Sequence, residues 1–248
     1  MPLGVPFRVN PLSLSTSLGN LTENTYSILR ADILACRLRP GQQLKIHEIC
    51  TRLHVSPGAV REALSRLSAE ELVVSKAQKG FRVAPVRVDD LEDLTSTRIE
   101  IECMCLRRAI EVGGIEWETG LVAAGHRLSR IAAPLDSDEW AHAHAQYHLA
   151  LVEACDSAWL LRLRAMLYAQ SERYRRLSLS GARTERDVDA EHRALVEAAL
   201  ARDAAKACRL LGDHLSLTAA LVRSLEEKWH QPVDHRLPAE DERSRVAG

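Results

Sequence analysis

Residues Val55 to Leu67 read VSPGAVREALSRL, and the rest of the chain makes sense around them. Ser56 is suited to cap a helix with its hydroxyl, and Pro57 falls at the first helical position, where its missing N–H costs nothing. Val60, Ala63, Leu64 and Leu67 recur at three- and four-residue spacing, which makes one narrow apolar stripe. Gly58, Arg61, Ser65 and Arg66 fall on the other face. A short helix held by one stripe, small at its N-terminus and carrying guanidinium groups outward, suits insertion into a DNA major groove. An ordinary amphipathic helix with a solvated basic face would read the same in isolation, so the neighbouring segments decide.

Upstream, residues 1–20 contain Pro, Ser and Gly without periodicity and read as a flexible arm. From Leu21 the pattern turns helical: Thr22 is placed as a cap, Leu21 and Tyr26 as a hydrophobic staple, and Tyr26, Leu29, Ile33 and Cys36 as the inward stripe. Pro40-Gly41 ends that element. A second short helix has Ile46, Ile49, Cys50 and Leu53 apolar, with His47, Glu48 and Arg52 outward. Downstream, the β-rich runs Leu72 to Ala77 and Phe81 to Ala84 flank Gln78-Lys79-Gly80, a hairpin signal with Lys79 at its tip. Three helices and a basic hairpin make a winged helix-turn-helix over residues 21–85. His47, Ser56, Gly58, Arg61, Ser65, Arg66 and Lys79 are its candidate DNA contacts.

The charge distribution agrees. The net charge of −1 hides two unlike halves. Residues 1–88 hold 12 Lys/Arg against 6 Asp/Glu and residues 89–248 hold 21 against 28, balances of +6 and −7. A basic front joined to an acidic back fits a nucleic-acid reader attached to something else. None of the six cysteines forms a CxxC pair, and Cys36, Cys103, Cys155 and Cys208 fall inside helical patterns, so they read as small apolar fillers in a reducing cytoplasm. No apolar run approaches the ~20 residues of a membrane span.

Pro85 to Val88 reads as a linker, and from Asp89 the pattern is helical throughout, so the fold class is mainly α. The expected helices are 89–111, 115–132, 137–155, 158–179, 185–201 and 203–228, punctuated by Gly113-Gly114, Pro134, Gly181 and an Asp203 cap. They form an antiparallel bundle over residues 89–229, followed by a disordered tail at 230–248. Its histidines are the anomaly. His144 and His148 share a helix face with Trp140, Tyr147 and Leu151, while His192 and His214 fall on the apolar stripes of two later helices. One inward His is usually a hydrogen-bonded core residue, but four inward imidazoles from three helices are expensive to bury without a common partner. A divalent metal satisfies one nitrogen of each, and imidazole suits zinc, with nickel or iron as alternatives.

These motifs carry a resemblance. VSPGAVREALSRL followed by LVVSKAQKGFRVAPV resembles the recognition helix and wing of the GntR family of bacterial transcription regulators. Residues 21–228 as a whole are similar to its FadR/VanR-like branch, whose helical C-terminal domain is called FCD. That domain commonly binds metal through an Asp-x3-His pair and two further His. By this resemblance His148 (in YHLAL), His192 (in EHRALVEAAL) and His214 (in GDHLSL) are ligands, and His144 stands where relatives carry the Asp. Arg98, in TRIEIE, matches an Arg that such domains use near the effector, and Tyr174 is taken with it on the effector side. Where many relatives have Arg-Thr-Pro in the recognition turn, this chain has Pro57-Gly58-Ala59, so its base preference should differ.

The resemblance implies a homodimeric, cytoplasmic repressor that reads a pseudo-palindromic duplex and answers to a small carboxylate beside the metal. Two other readings are a metalloenzyme fused to a DNA-binding module and a constitutive DNA-binding protein with a structural metal. Against an enzyme, no helix supplies paired Glu-x-x-His motifs or His-Glu-x-x-His.

Overall fold

The computed structural model describes residues 11–76, 79–179 and 186–224. The reader is built from α1 (Pro11–Leu34), β1 (Gln43–Leu44), α2 (Ile46–Leu53), α3 (Pro57–Ala69), β2 (Val73–Lys76) and β3 (Gly80–Val83). The helical domain follows as α4 (Val88–Val112), α5 (Ile115–Ser129), α6 (Asp138–Ala150), α7 (Ala158–Leu179), α8 (Val188–Leu200) and α9 (Ala204–Ser224).

In the reader, Ser56 caps α3 by accepting the Ala59 N–H at 3.3 Å, and Val60, Ala63, Leu64 and Leu67 are fully buried. They pack on Leu29 and Ile33 of α1 and on Val73 and Val83 of the wing. Each fully buried Val, Leu or Ile among them contributes roughly 1.5–3 kcal/mol relative to exposure, and Ala63 less. His54 closes α2 in the left-handed conformation at φ 53°. The wing pairs Val73 with Val83 and Lys76 with Gly80, and Gly80 takes φ +73°, which favours glycine there. Two features depart from the sequence reading. The first helix begins at Pro11, so Thr22 lies inside it rather than capping it, and Leu21 is exposed. The sheet has a third strand: β1 pairs with β3 through Gln43–Arg82 and Leu44–Phe81.

In the helical domain, the six expected helices are present among the described residues: α4 runs one residue further at each end, α7 has the expected bounds, and the other four are shorter. Asp203 caps α9 through the Lys206 N–H at 2.9 Å. Cys155 follows α6 in a turn rather than lying in it, and Cys36 sits just past α1 at φ 56°, so neither is a helical filler. Cys103 and Cys208 are fillers between α4 and α9, each thiol 3.6–3.7 Å from the other's carbonyl. The expected tail 230–248 and Gly181 lie outside the described residues. Among the described residues no helix is long and apolar enough to cross a membrane.

The two halves are joined by more than the linker. From α7, Gln170 donates to the Glu70 carbonyl at 2.8 Å and Arg173 donates to the Ala84 carbonyl. The Cys36 thiol donates to the Arg173 carbonyl at 3.5 Å. The Tyr174 hydroxyl accepts from the Arg87 N–H at 3.2 Å and donates to its carbonyl at 3.0 Å.

The turn between α4 and α5 makes a direct test of packing. A Cβ at Gly113 would lie 2.5 Å from the Ala109 carbonyl oxygen and 2.5 Å from the Trp117 ring, whereas one at Gly120 meets nothing. Gly113→Ala should lose about 1–3 kcal/mol by overpacking. Gly120→Ala should be neutral or stabilise by up to ~1 kcal/mol, since it replaces Gly within a helix. Urea denaturation of both variants checks this; equal stabilities would contradict the packing of this turn.

Candidate nucleic-acid interface and metal centre

The exposed side of α3 presents Gly58, Arg61 and Ser65, with Pro57 and Ser56 at its N-terminal end. Arg61 makes no hydrogen bond or ion pair among the described residues, so its guanidinium is available to a groove. Arg66 is placed differently: it donates to Glu23 at 2.7 Å and its guanidinium lies 3.9 Å over the Tyr26 ring, which ties α3 to α1. His47 is exposed in the first turn of α2, and Lys79 is exposed at the wing tip. The candidate DNA residues thus lie on three consecutive pieces of one small domain.

The four histidines converge. Ligand atoms of His144, His148, His192 and His214 all lie within 4.8 Å of one another, and all four residues are buried. α6 supplies two of them one turn apart, α8 the third and α9 the fourth. Trp140 stacks on His144 with ring centroids 4.5 Å apart, and the Tyr147 hydroxyl donates to the His192 carbonyl at 3.0 Å, so packing holds both rings. His142, two positions from His144, is exposed, as expected.

The donor chemistry fits a cation. The Nε2 atoms of His144 and His148 face each other at 3.0 Å, a contact that needs either the N–H of one ring or an ion between two lone pairs. Among the described residues, His148 Nδ1 and both nitrogens of His192 are buried without a partner, a cost of roughly 1–3 kcal/mol each. His214 is different: its Nδ1 donates to Glu191 at 2.8 Å. An ion among these rings would accept a lone pair from each.

Electrostatics keep the rings neutral. Burial, then the neighbouring His and Arg charges, hold His144 and His148 well below the usual imidazole range. Burial, with His214 beside it, brings His192 down to about 3. Burial also lowers His214, although Glu191 opposes the shift. Burial pushes the Glu191 carboxyl up, but hydrogen bonds from Arg186 and His214 prevail and bring it down to about 2.

Beside the cluster lies a small cavity of about 30 Å³, lined by His144, His148 and His214 together with Arg98, Tyr168 and Arg175. That is the space of a water-sized guest. Buried Glu102 accepts from Arg98 at 3.2 Å and from Arg164 at 3.0 Å, so two guanidiniums share one carboxylate and positive charge is in excess. Tyr174 also lines the cavity, but its hydroxyl is bound to the linker backbone at Arg87. Glu102, Arg164, Arg175 and Glu191 were not legible as site residues. Their charge gave no periodic signal that separates an inward ion pair from an outward one.

A winged helix-turn-helix joined to a helical domain with an inward imidazole cluster defines a transcription regulator with a sensing domain. The comparisons agree. Residues 21–83 match the bacterial regulatory proteins, gntR family, and residues 93–217 match the FCD domain. The chain is 44% identical over 210 residues to the uncharacterised HTH-type transcriptional regulator BphR of Paraburkholderia xenovorans (strain LB400), covering 82% of this chain and 86% of that one. It is 36% identical over 206 residues to the HTH-type transcriptional repressor GlaR of Escherichia coli (strain K12), covering 80% and 94%. Among solved structures, E. coli McbR/YncC shares the fold with a TM-score of 0.72 at 20% identity, covering 83% of this chain and 98% of that one. The chain belongs to the GntR family: it is a DNA-binding transcriptional regulator with an FCD domain, and not an enzyme.

The histidine cluster makes stripped protein sensitive to acid. Folded-state values below the unfolded 6.5 mean that the unfolded chain binds more protons as pH falls below about 6.5. Stability is therefore full above that value and lost on the way down to about 3. Glu191, lowered from 4.5, adds its own loss only below that ordinary value. After chelation, Tm should drop between about pH 7 and 5, and His192→Leu should flatten the drop. Thermal melts across that range check it; a pH-independent Tm in the stripped wild type would contradict buried neutral rings.

Proposed function

We infer that this regulator is a homodimeric repressor whose FCD domain holds a divalent metal on His144, His148, His192 and His214 and senses a small organic acid beside it. The observation that carries this reading is the imidazole cluster opening on a cavity lined by Arg98 and Arg175, where three guanidiniums (Arg98, Arg164 and Arg175) share two carboxylates, Glu102 and Glu172. Four neutral imidazoles leave an ion's full +2 uncompensated, which is costly next to guanidinium groups unless an anion joins it. When bound, the metal supplies a Lewis-acidic point for a carboxylate oxygen. Arg98 is placed to clamp the carboxylate. Zinc is the first candidate, with nickel or iron as alternatives. GlaR is named a repressor, which supports that direction of regulation here.

The route to the reader is α7. Tyr168, Ser171, Glu172 and Arg175 line the cavity, while Gln170, Arg173 and Tyr174 on the same two turns hold Glu70, Ala84 and Arg87. A cavity of about 30 Å³ takes a carboxylate only if a wall yields. A shift of α7 would loosen the reader, and the energy available equals the effector's differential affinity for the two arrangements. The covalent linker from Pro85 to Val88, which joins the reader to α4, would be a second route.

On DNA, two readers on a two-fold axis would engage a pseudo-palindromic duplex, with Arg61 in the major groove and Lys79 on backbone phosphate. His47, Ser56, Gly58 and Ser65 would complete the contact. The second copy is supported by Trp159, Leu163 and Met166, which leave 71%, 41% and 46% of their surface exposed along one side of α7.

Three measurements test this reading. Arg61→Ala should weaken operator binding by about 1–3 kcal/mol while Lys79→Ala weakens all sequences alike and flattens the salt dependence; unchanged affinity for the Arg61 variant would sink the assignment. Sedimentation should show a dimer that Trp159→Asp with Met166→Asp shifts toward monomer, and a monomeric wild type would contradict it. Calorimetric titration of organic acids should give binding to metal-loaded protein that chelation abolishes and Arg98→Ala weakens at least tenfold, about 1.4 kcal/mol. Equal binding by loaded and stripped protein would separate effector from metal.

A further inference from the structure

Among the described residues, His214 is the one imidazole of the four with a carboxylate on its outer nitrogen. Its Nδ1 donates to Glu191 Oε2 at 2.8 Å, whereas His148 Nδ1 and both His192 nitrogens have no partner and His144 Nδ1 faces the Tyr168 hydroxyl at 3.4 Å. Glu191 is itself held. Arg186 donates to both of its carboxylate oxygens through Nε and Nη2. Arg186 Nη2 also stands 3.1 Å from His214 Nδ1, but its two hydrogens serve Glu191 Oε2 and the His214 carbonyl at 2.8 Å, which leaves Nδ1 to donate to the carboxylate. Arg186 Nη1 donates to Thr218 Oγ1 at 2.9 Å, so guanidinium, carboxylate and imidazole form one fixed unit across α8 and α9.

We propose that Glu191, braced by Arg186, is the positioning residue of the metal site: it holds His214 as the Nδ1–H tautomer and presents Nε2 to the ion. A carboxylate on the outer nitrogen fixes ring orientation and raises ligand basicity. The bracing has a second effect. With both oxygens occupied by Arg186, the Glu191 carboxylate cannot swing inward to become a ligand, so the set stays all-imidazole and the ion keeps its charge. Glu191 and His192 are adjacent in sequence, so one turn of α8 supplies a ligand and the anchor of another. This inference rests on reading the cluster as a metal site.

The test uses the full chain and the metal alone. Zinc affinity is measured by chelator competition, and cobalt(II) replaces zinc to report ligand geometry through its visible absorption. Glu191→Ala should bind zinc 10–100-fold more weakly, the loss typical for removal of such a partner, with an altered cobalt spectrum. Glu191→Gln, which keeps size and a hydrogen-bond acceptor, should fall between Ala and wild type and guards against a folding defect in the Ala variant. Arg186→Gln should change the cobalt spectrum by freeing the carboxylate to enter the set. Wild-type zinc affinity and an unchanged cobalt spectrum in both Glu191 variants would overturn the proposal while leaving the metal site standing. Failure of the wild type to take up zinc or cobalt, matching a His148→Ala with His192→Ala control, would overturn the site and the proposal together.

Discussion

Four imidazole rings brought to one point inside an apolar bundle are the constraint on which the rest of the helical domain depends. Each ring is polar and each is buried: one N–H can serve the 3.0 Å approach of the His144 and His148 Nε2 atoms, but His148 Nδ1 and both His192 nitrogens find no partner among the described residues. The helices pay attention to this point. α6 places two rings a turn apart, Trp140 and Tyr147 brace them, and α8 and α9 approach to bring the others in. Without a common partner the arrangement would leave several unpaired polar atoms, which a bundle of this size could more simply fill with Leu.

The same domain carries a second constraint, excess positive charge. Glu102 serves both Arg98 and Arg164, whereas Glu172 serves Arg175 and shares Arg176 with Asp138. Such buried pairs rarely stabilise a fold more than apolar packing would, so their retention around one cavity points to use rather than to stability. α7 is where that charge meets the reader. Its residues alternate between the cavity wall and the underside of the DNA-binding domain, and the contacts there are hydrogen bonds to backbone carbonyls, which break or form with small displacements. On the proposed reading, one helix rather than a diffuse interface would couple chemistry in the cavity to the geometry of the reader.

Much of this was legible in the sequence, for definite reasons. Ser56-Pro57 and the stripe from Val60 to Leu67 announce α3 because cap, first-turn Pro and burial period agree. The four histidines are visible because imidazole on an apolar stripe breaks the binary pattern. What escaped lacks a local signal. β1 is two residues long and exists only through its pairing with β3. Arg66 has the same helical phase as an outward residue, but Tyr26 and Glu23 on α1 capture it. Glu191 looks like any solvated acid in EHRALVEAAL, and its contacts emerge only when α9 brings His214 beside it and Arg186, just before α8, folds onto it. Cys155 was assigned to a helix that stops five residues earlier, because no Gly or Pro marks the end of α6.

The central claim, that the four histidines are a metal centre rather than a polar knot in the core, is tested most directly on protein purified without chelator. Elemental analysis with X-ray absorption at the edge of the metal found should give about one transition-metal ion per chain, in a shell of light donors showing imidazole scattering. The His148→Ala with His192→Ala protein should yield none. A wild type that carries no metal, and takes up none when zinc is offered, would contradict the account.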